Sequence, residues 1–160
     1  MNRRRYWVLK TEPTNYSIDD LERDRKTPWS GVRSYMARNA MRDMMQMGDT
    51  VLIYHSSCDV PGIYGFGQVV SAPYGDPTQF DPESPYYDAR ADADKPIWQL
   101  VDIAFRSKLD EPITLLDLRA RPGLKTLRIL ARGNRVSVTR VSEAEFRIIH
   151  AMAVKRGHKG

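Results

Sequence analysis

A chain of 160 residues is the size of one domain and can bury a core without staples. Hydrophobic residues make up 41% and charged residues 28%, which excludes a disordered chain, and no apolar run approaches the roughly 18 residues of a membrane span. The net charge of +5 is unevenly spread: residues 1–80 carry ten Lys and Arg against nine Asp and Glu, residues 81–118 four against nine, and residues 119–160 eleven against two.

The N-terminal Met-Asn-Arg-Arg-Arg stretch is basic, but polar Lys10-Thr11-Glu12-Pro13 follows soon after, so the apolar centre of a secretion signal is missing. Residues 5–10 read as a strand, with Tyr6 and Val8 on one face and Trp7 and Leu9 on the other. Ser17 has the position of a helix cap, with Asp20 three residues on and Ile18 and Leu21 as the buried side. Trp29-Ser30-Gly31 reads as a turn. Residues 34–47 have helical spacing through Tyr35, Ala37, Met41, Met44 and Met45, and Gly48 suits a C-terminal cap.

Residues 49–56 and 62–71 are strands around a short loop. Val51-Leu52-Ile53-Tyr54 is apolar throughout, as in a strand buried on both faces. Gly62, Gly65 and Gly67 inside the next strand suggest bulges or close backbone approach. Residues 73–96 form a long Pro- and Asp-rich loop of the kind that is usually functional. A strand over 97–106, a short helix over 114–118 opened by Thr114 with Asp117, a strand over 135–140 and a final helix capped by Ser142 with Glu145 complete the chain. Regular β-α-β alternation is absent. The expected fold is therefore α+β: a curved, mainly antiparallel sheet or small barrel with flanking helices, as one domain over 1–160 with flexible ends at 1–4 and 155–160.

Much chemistry is excluded at this level. His55, His150 and His158 are scattered, and none pairs with Cys58 or a carboxylate at metal-ligand spacing. No P-loop or nucleophile elbow occurs, and the glycines of residues 62–67 sit inside a strand rather than opening a helix. No metal and no cofactor are expected. The single cysteine rules out an internal disulfide and points to a reducing cytoplasm, or to the nucleus in a eukaryote. Lys10 and Glu12 alternate on one strand face, either as an ion pair or as a base and acid.

Three islands stand out: Trp7-Val-Leu-Lys-Thr-Glu-Pro13, Trp29-Ser-Gly-Val-Arg-Ser-Tyr-Met-Ala-Arg-Asn39, and Asp49-Thr-Val-Leu-Ile-Tyr-His-Ser56 with Pro61-Gly-Ile-Tyr-Gly65. Asp76-Pro-Thr-Gln-Phe-Asp81, Ser84-Pro-Tyr-Tyr-Asp88, Trp98, Val101-Asp102, Arg135-Val-Ser-Val138 and Glu145-Phe146 follow in order. In these runs, from about residue 6 to 150, the chain closely resembles the EVE-domain family. It departs from the family pattern at Ser30, where an acidic residue is common, and at Gly75, where proline is usual. The resemblance implies a PUA-like fold and a pocket that recognises a modified base in DNA or RNA, with no catalysis.

The residue types agree with that expectation. A flipped base needs aromatic walls and a few aimed donors and acceptors. Candidates for the base pocket are Trp29, Ser30, Gly31, Val32 and Tyr35, then Tyr54, His55 and Ser56, and finally Lys10, Glu12 and Trp98. Trp29, Tyr54 and Trp98 have core packing as their alternative, and His55 that of a satisfied half-buried histidine. Arg33, Arg38 and Asn39 could hold phosphate or brace the turn. Arg119, Arg121, Lys125, Arg128, Arg132 and Arg135, from the basic last quarter, would meet the nucleic-acid backbone. The expected partner is nucleic acid carrying a modified base, bound by a monomer away from membranes. A hydrolase of modified nucleosides working through Lys10 and Glu12 is the alternative, and a protein-binding scaffold with a basic face a third.

Overall fold

The computed structural model describes residues 4–132 and 136–158. Among these residues, eight strands and four α-helices occur in the order β1 (Tyr6–Thr11), α1 (Ile18–Asp24), β2 (Lys26–Pro28), α2 (Tyr35–Asp43), β3 (Thr50–His55), β4 (Gly62–Val69), β5 (Tyr74–Gly75), β6 (Gln99–Leu100), β7 (Asp102–Thr114), α3 (Leu115–Arg119), β8 (Val138–Val141) and α4 (Glu143–Val154). Six strands form one sheet in the order β2-β7-β4-β3-β1-β8, while β5 and β6 pair separately. Four pairings in the large sheet are antiparallel, but β1 and β3 run parallel, with Trp7 opposite Val51 and Leu9 opposite Ile53. The crossover through α1, β2 and α2 makes this possible, because a parallel return needs a long connection rather than a tight turn. The sheet is therefore mixed, and it curls into a half-barrel.

The period of two along β1 and β3 divides the core. Trp7, Leu9, Val51 and Ile53 join a cluster with Ile18 and Leu21 of α1, Ala37 and Met41 of α2, and Trp29. Val8, Leu52 and Tyr54 face the other way, into a cluster with Leu118 of α3 and Ile149, Met152 and Ala153 of α4. Both central strands are thus buried on both faces, which is why they read as continuous apolar runs. Within this core the buried Asp49 carboxylate is matched: it accepts from the Trp7 indole at 3.0 Å and from the backbone N–H groups of Arg5 and Gln46.

The helix starts follow the sequence signals. Ser17, Thr114 and Ser142 each cap a helix, and Asp20, Asp117 and Glu145 complete the reciprocal bonds. The helix expected over 34–47 is shorter, ending at Asp43. Gly48 does adopt a left-handed conformation (φ +94°), but as the entry to β3 rather than as a helix cap. The strand expected over 97–106 is instead two: the chain leaves β6 at Val101 and continues in β7 as far as Thr114. Residues 155–158, expected as a loose end, are tied to α3 and β7. Arg156 pairs with Asp117 at 2.9 Å, and Asp110 donates its N–H to the Arg156 carbonyl. The start of the strand expected over 135–140 lies outside the described residues.

Gly65 shows why glycine is needed in β4. A Cβ there would lie 2.5 Å from the Ser107 carbonyl and 2.6 Å from Ile18 Cδ1. Bulges flank this point in the pairing with β7, and they let the sheet curl under α1.

Candidate functional site

The C-terminal ends of β1 and β3 and the segment after β2 enclose a cavity of about 410 Å³. That volume lies within the roughly 300–1,000 Å³ of small-ligand sites. Lys10, Thr11 and Glu12 enter from β1 and its end, Asn15 and Tyr16 from the turn before α1, and Ser56 from the end of β3. Residues 27–32 form the facing wall, Tyr86 reaches in from the long loop, and Ser137 closes the side.

Three aromatic rings line it: Trp29, Tyr16 and Tyr86. Trp29 is 8% exposed, so most of its indole is core and a small part faces the cavity. Tyr16 meets it edge-on at 6.0 Å. The Tyr16 hydroxyl donates to the Asp24 carboxylate at 2.8 Å; burial, helped by that bond, pushes the phenol up to about 12, so it stays protonated at neutral pH. Burial also lowers the Lys10 ammonium below its usual range.

The wall is fixed from behind by Asp76. Its carboxylate is inaccessible to solvent and accepts from the Gly31 N–H at 2.8 Å, from the N–H and hydroxyl of Thr78, and from the Arg33 guanidinium at 3.1 Å. Burial raises the carboxyl pKa, but the bonds from Thr78, Gly31 and Arg33 outweigh it, and the net shift is downward. Arg33 extends the brace. It donates to the Tyr86 carbonyl through Nε at 3.1 Å and Nη2 at 2.8 Å, so one guanidinium joins the wall to the loop that carries the third ring. Gly31 has φ +85°, and a Cβ there would stand 2.7 Å from the Tyr86 ring. Glycine is required twice at this point, for the backbone and for the ring.

The structure brings together Lys10, Glu12, Trp29, Ser30, Gly31, Val32 and Ser56 of the residues expected to line the pocket. Four others are corrected. Tyr54 packs into the α3–α4 side of the core. His55 is buried, stacks on Tyr64 at 4.0 Å, and accepts the Ile18 N–H at 3.1 Å; it supports the start of α1. Trp98 is buried under Tyr35, with ring centroids 5.0 Å apart, and its indole N–H donates to Asp88 at 2.9 Å. Tyr35 is half exposed outside the cavity, its ring beneath the Arg38 guanidinium at 4.8 Å.

Arg33 braces the turn. Arg38 likewise donates inward, to the Ile97 carbonyl at 3.0 Å and to Asn39 Oδ1, so neither it nor Asn39 stands open as a phosphate clasp. Arg119, Arg121, Lys125, Arg128 and Arg132 are all exposed. Arg135, with Gly133 and Asn134, lies outside the described residues.

Tyr16, Tyr86 and Asp76 were not singled out as site residues from the sequence. Tyr86 does sit in the long loop whose length alone suggests function. Asp76 stands in one of the motif runs, but its bracing role shows itself only in its bonds to Gly31 and Arg33, 45 and 43 residues away.

The half-barrel with helices on both faces is a PUA-like α+β fold. The chain belongs to the EVE-domain family: the model of the EVE domain matches residues 5–152. Human thymocyte nuclear protein 1 is 33% identical over 168 residues, covering 94% of this chain and 74% of the human protein. The solved structure of a hypothetical protein from Leishmania major is similar at TM-score 0.90 and 41% identity over 96% of each chain. Human THYN1, solved in complex with 5-methylcytosine-containing DNA, is similar at TM-score 0.87 and 32% identity over 93% of this chain and 97% of its own.

Proposed function

We propose that this domain reads a modified base in nucleic acid, held extruded in the Trp29 cavity, without transforming it. The observation that carries the reading is the braced aromatic wall. Trp29, Tyr16 and Tyr86 offer ring surface, the residue 29–32 backbone is held rigid by Asp76, and Lys10, Glu12 and Ser56 offer polar atoms to a base edge. Base–aromatic contact is worth roughly 1–3 kcal/mol, enough to repay the few kcal/mol of unstacking when preorganised donors are added. The complex of human THYN1 with 5-methylcytosine-containing DNA supports DNA as the polymer and a methylated pyrimidine as the class of base. The exposed cations between Arg119 and Arg132 supply the sequence-independent attraction to phosphates.

The test compares binding of duplexes that differ only in cytosine against 5-methylcytosine. Wild type is expected to prefer the modified duplex. Trp29→Ala and the milder Tyr86→Ala are expected to remove the preference while salt-dependent binding persists. Full discrimination by a folded Tyr86→Ala and a folded Trp29→Ala would overturn the reading.

One observation favours a second reading. The burial-lowered pKa of Lys10, beside Glu12 in the same cavity, suits a proton-transfer role in a nucleoside hydrolase. Turnover of modified nucleosides that disappears in Lys10→Ala would establish it.

A further inference from the structure

The polar groups that line the Trp29 cavity differ in what they can do. The hydroxyls of Ser30, Ser56 and Ser137 and the Asn15 amide can each donate or accept, so they adjust to whatever edge a ligand presents. Lys10 can only donate, and that residue already has a contact of its own. Glu12 can only accept. Among the described residues, its carboxylate takes no hydrogen bond and forms no ion pair.

The Glu12 backbone, by contrast, is fixed. Glu12 stands one position past the end of β1, and its carbonyl accepts the N–H groups of Asn15 at 2.9 Å and Tyr16 at 3.0 Å. Thr11 Oγ1 donates to the Tyr16 carbonyl at 2.9 Å and closes the same turn. The chain therefore holds an unspent acceptor at a set point of the wall, on the turn that carries one of the three rings. A carboxylate in that place works against a polyanion, because it repels each phosphate that nears the opening. A donor on the ligand offsets that cost, since a hydrogen bond to an ionised acceptor is about twice as strong as a neutral one. Position 4 of the ring separates the pyrimidines in this respect: cytosine carries an amino group there and thymine a carbonyl. Carboxylate to amino is a matched pair, whereas carboxylate to carbonyl sets acceptor against acceptor and leaves both unsatisfied. Because 5-methylcytosine and thymine share the 5-methyl group, contacts that sense the methyl do not tell them apart.

We propose that Glu12 sets the base class of this cavity: its carboxylate accepts the 4-amino group of a cytosine-type base and disfavours thymine and uracil. The assignment rests on the base-reading role of the cavity and adds the edge that is read. Glu12 is then the residue that distinguishes amino from carbonyl, while the rings and the braced wall bound the rest of the base.

The test uses three single-stranded oligonucleotides that differ only at one central base: 5-methylcytosine, thymine or cytosine. Single strands remove the unequal pairing costs of these bases. Fluorescence anisotropy of the full chain is expected to show the 5-methylcytosine strand bound about tenfold or more tighter than the thymine strand, as an unmatched buried acceptor implies. Glu12→Gln, whose amide can turn to donate or accept, is expected to weaken the 5-methylcytosine strand and not the thymine strand, so that the ratio falls towards one. The Glu12 side chain is exposed to the cavity, and a thermal melt checks that the variant is folded. The proposal is overturned if wild type binds the 5-methylcytosine and thymine strands alike, whether tightly or not at all. It is also overturned if a folded Glu12→Gln keeps the wild-type ratio or weakens all three strands equally. The cytosine strand reports separately on the base-reading proposal. Wild type that separates 5-methylcytosine from thymine but not from cytosine would sink methyl reading and leave the Glu12 edge standing, and the converse result would sink the edge alone.

Discussion

Asp76 accepts the Gly31 N–H at 2.8 Å across 45 residues of sequence, and this bond couples the long loop to the wall of the cavity. The same carboxylate holds Arg33, and Arg33 holds the Tyr86 carbonyl, so the wall and the third ring share one buried anion. The cavity shape therefore depends on a residue that does not line it.

Asp76→Asn is expected to destabilise the fold by about 2–3 kcal/mol. It removes a charged acceptor from a site with no access to water and leaves the Arg33 guanidinium poorly matched. Urea unfolding measures the loss. Preference for the modified duplex should fall further than stability, since the wall loosens before the fold melts. A variant with wild-type stability and full discrimination would show that the anchor is dispensable.

Gly31→Ala tests the wall itself. The left-handed backbone costs a non-glycine residue roughly 1–2 kcal/mol, and the added methyl collides with Tyr86. Tyr86 is 37% exposed and can swing outward, so the stability cost should stay near that backbone value. Base discrimination should nevertheless be lost, because the displaced ring no longer bounds the cavity. Parallel thermal melts and binding curves separate the two effects.

His55 makes stability depend on pH. Burial lowers its pKa, with Asp19 opposing, and its Nε2 must be unprotonated to accept the Ile18 N–H. The folded pKa lies below the unfolded value of about 6.5. The contribution is therefore fully present above that pH and is lost as pH falls through the folded pKa. Stability of the wild type is expected to decline on acidification from pH 7.5 to 5.5, and that of His55→Gln to decline less. Equal slopes in the two proteins would contradict this role for His55.

The exposed arginines of residues 119–132 should act on all nucleic acid alike. Each phosphate they neutralise contributes about 0.9 to the slope of log K against log salt on duplex DNA. Arg119→Ala with Arg121→Ala is expected to lower that slope by up to about 2 and to weaken modified and unmodified duplexes equally. A change in the ratio of the two affinities would instead place these residues in base recognition.

Much of the fold and some of the site could be read directly from local pattern. Ser17, Thr114 and Ser142 announce their helices because a cap and its partner lie three residues apart, within one turn. The continuous apolar run of residues 51–54 announces a strand buried on both faces, and the Trp29–Ser30–Gly31–Val32 motif marks the wall. Tyr54, His55 and Trp98 were expected in the pocket and are elsewhere. An aromatic in a strand looks the same in sequence whether its face meets a cavity or a core, and only the sheet register distinguishes them.

The sequence by itself determined the types of β1, β3, β4 and the four helices, though not the short strands β2 and β5, and it determined the division of β1 between two faces and the EVE-type motifs, because each depends on neighbours a few positions apart. Tertiary structure alone decided that β1 and β3 run parallel, that Tyr16 and Tyr86 join Trp29, and that Asp76 braces them. Those relations join segments tens of residues apart, and no local spacing encodes which distant carboxylate or ring will meet a given turn.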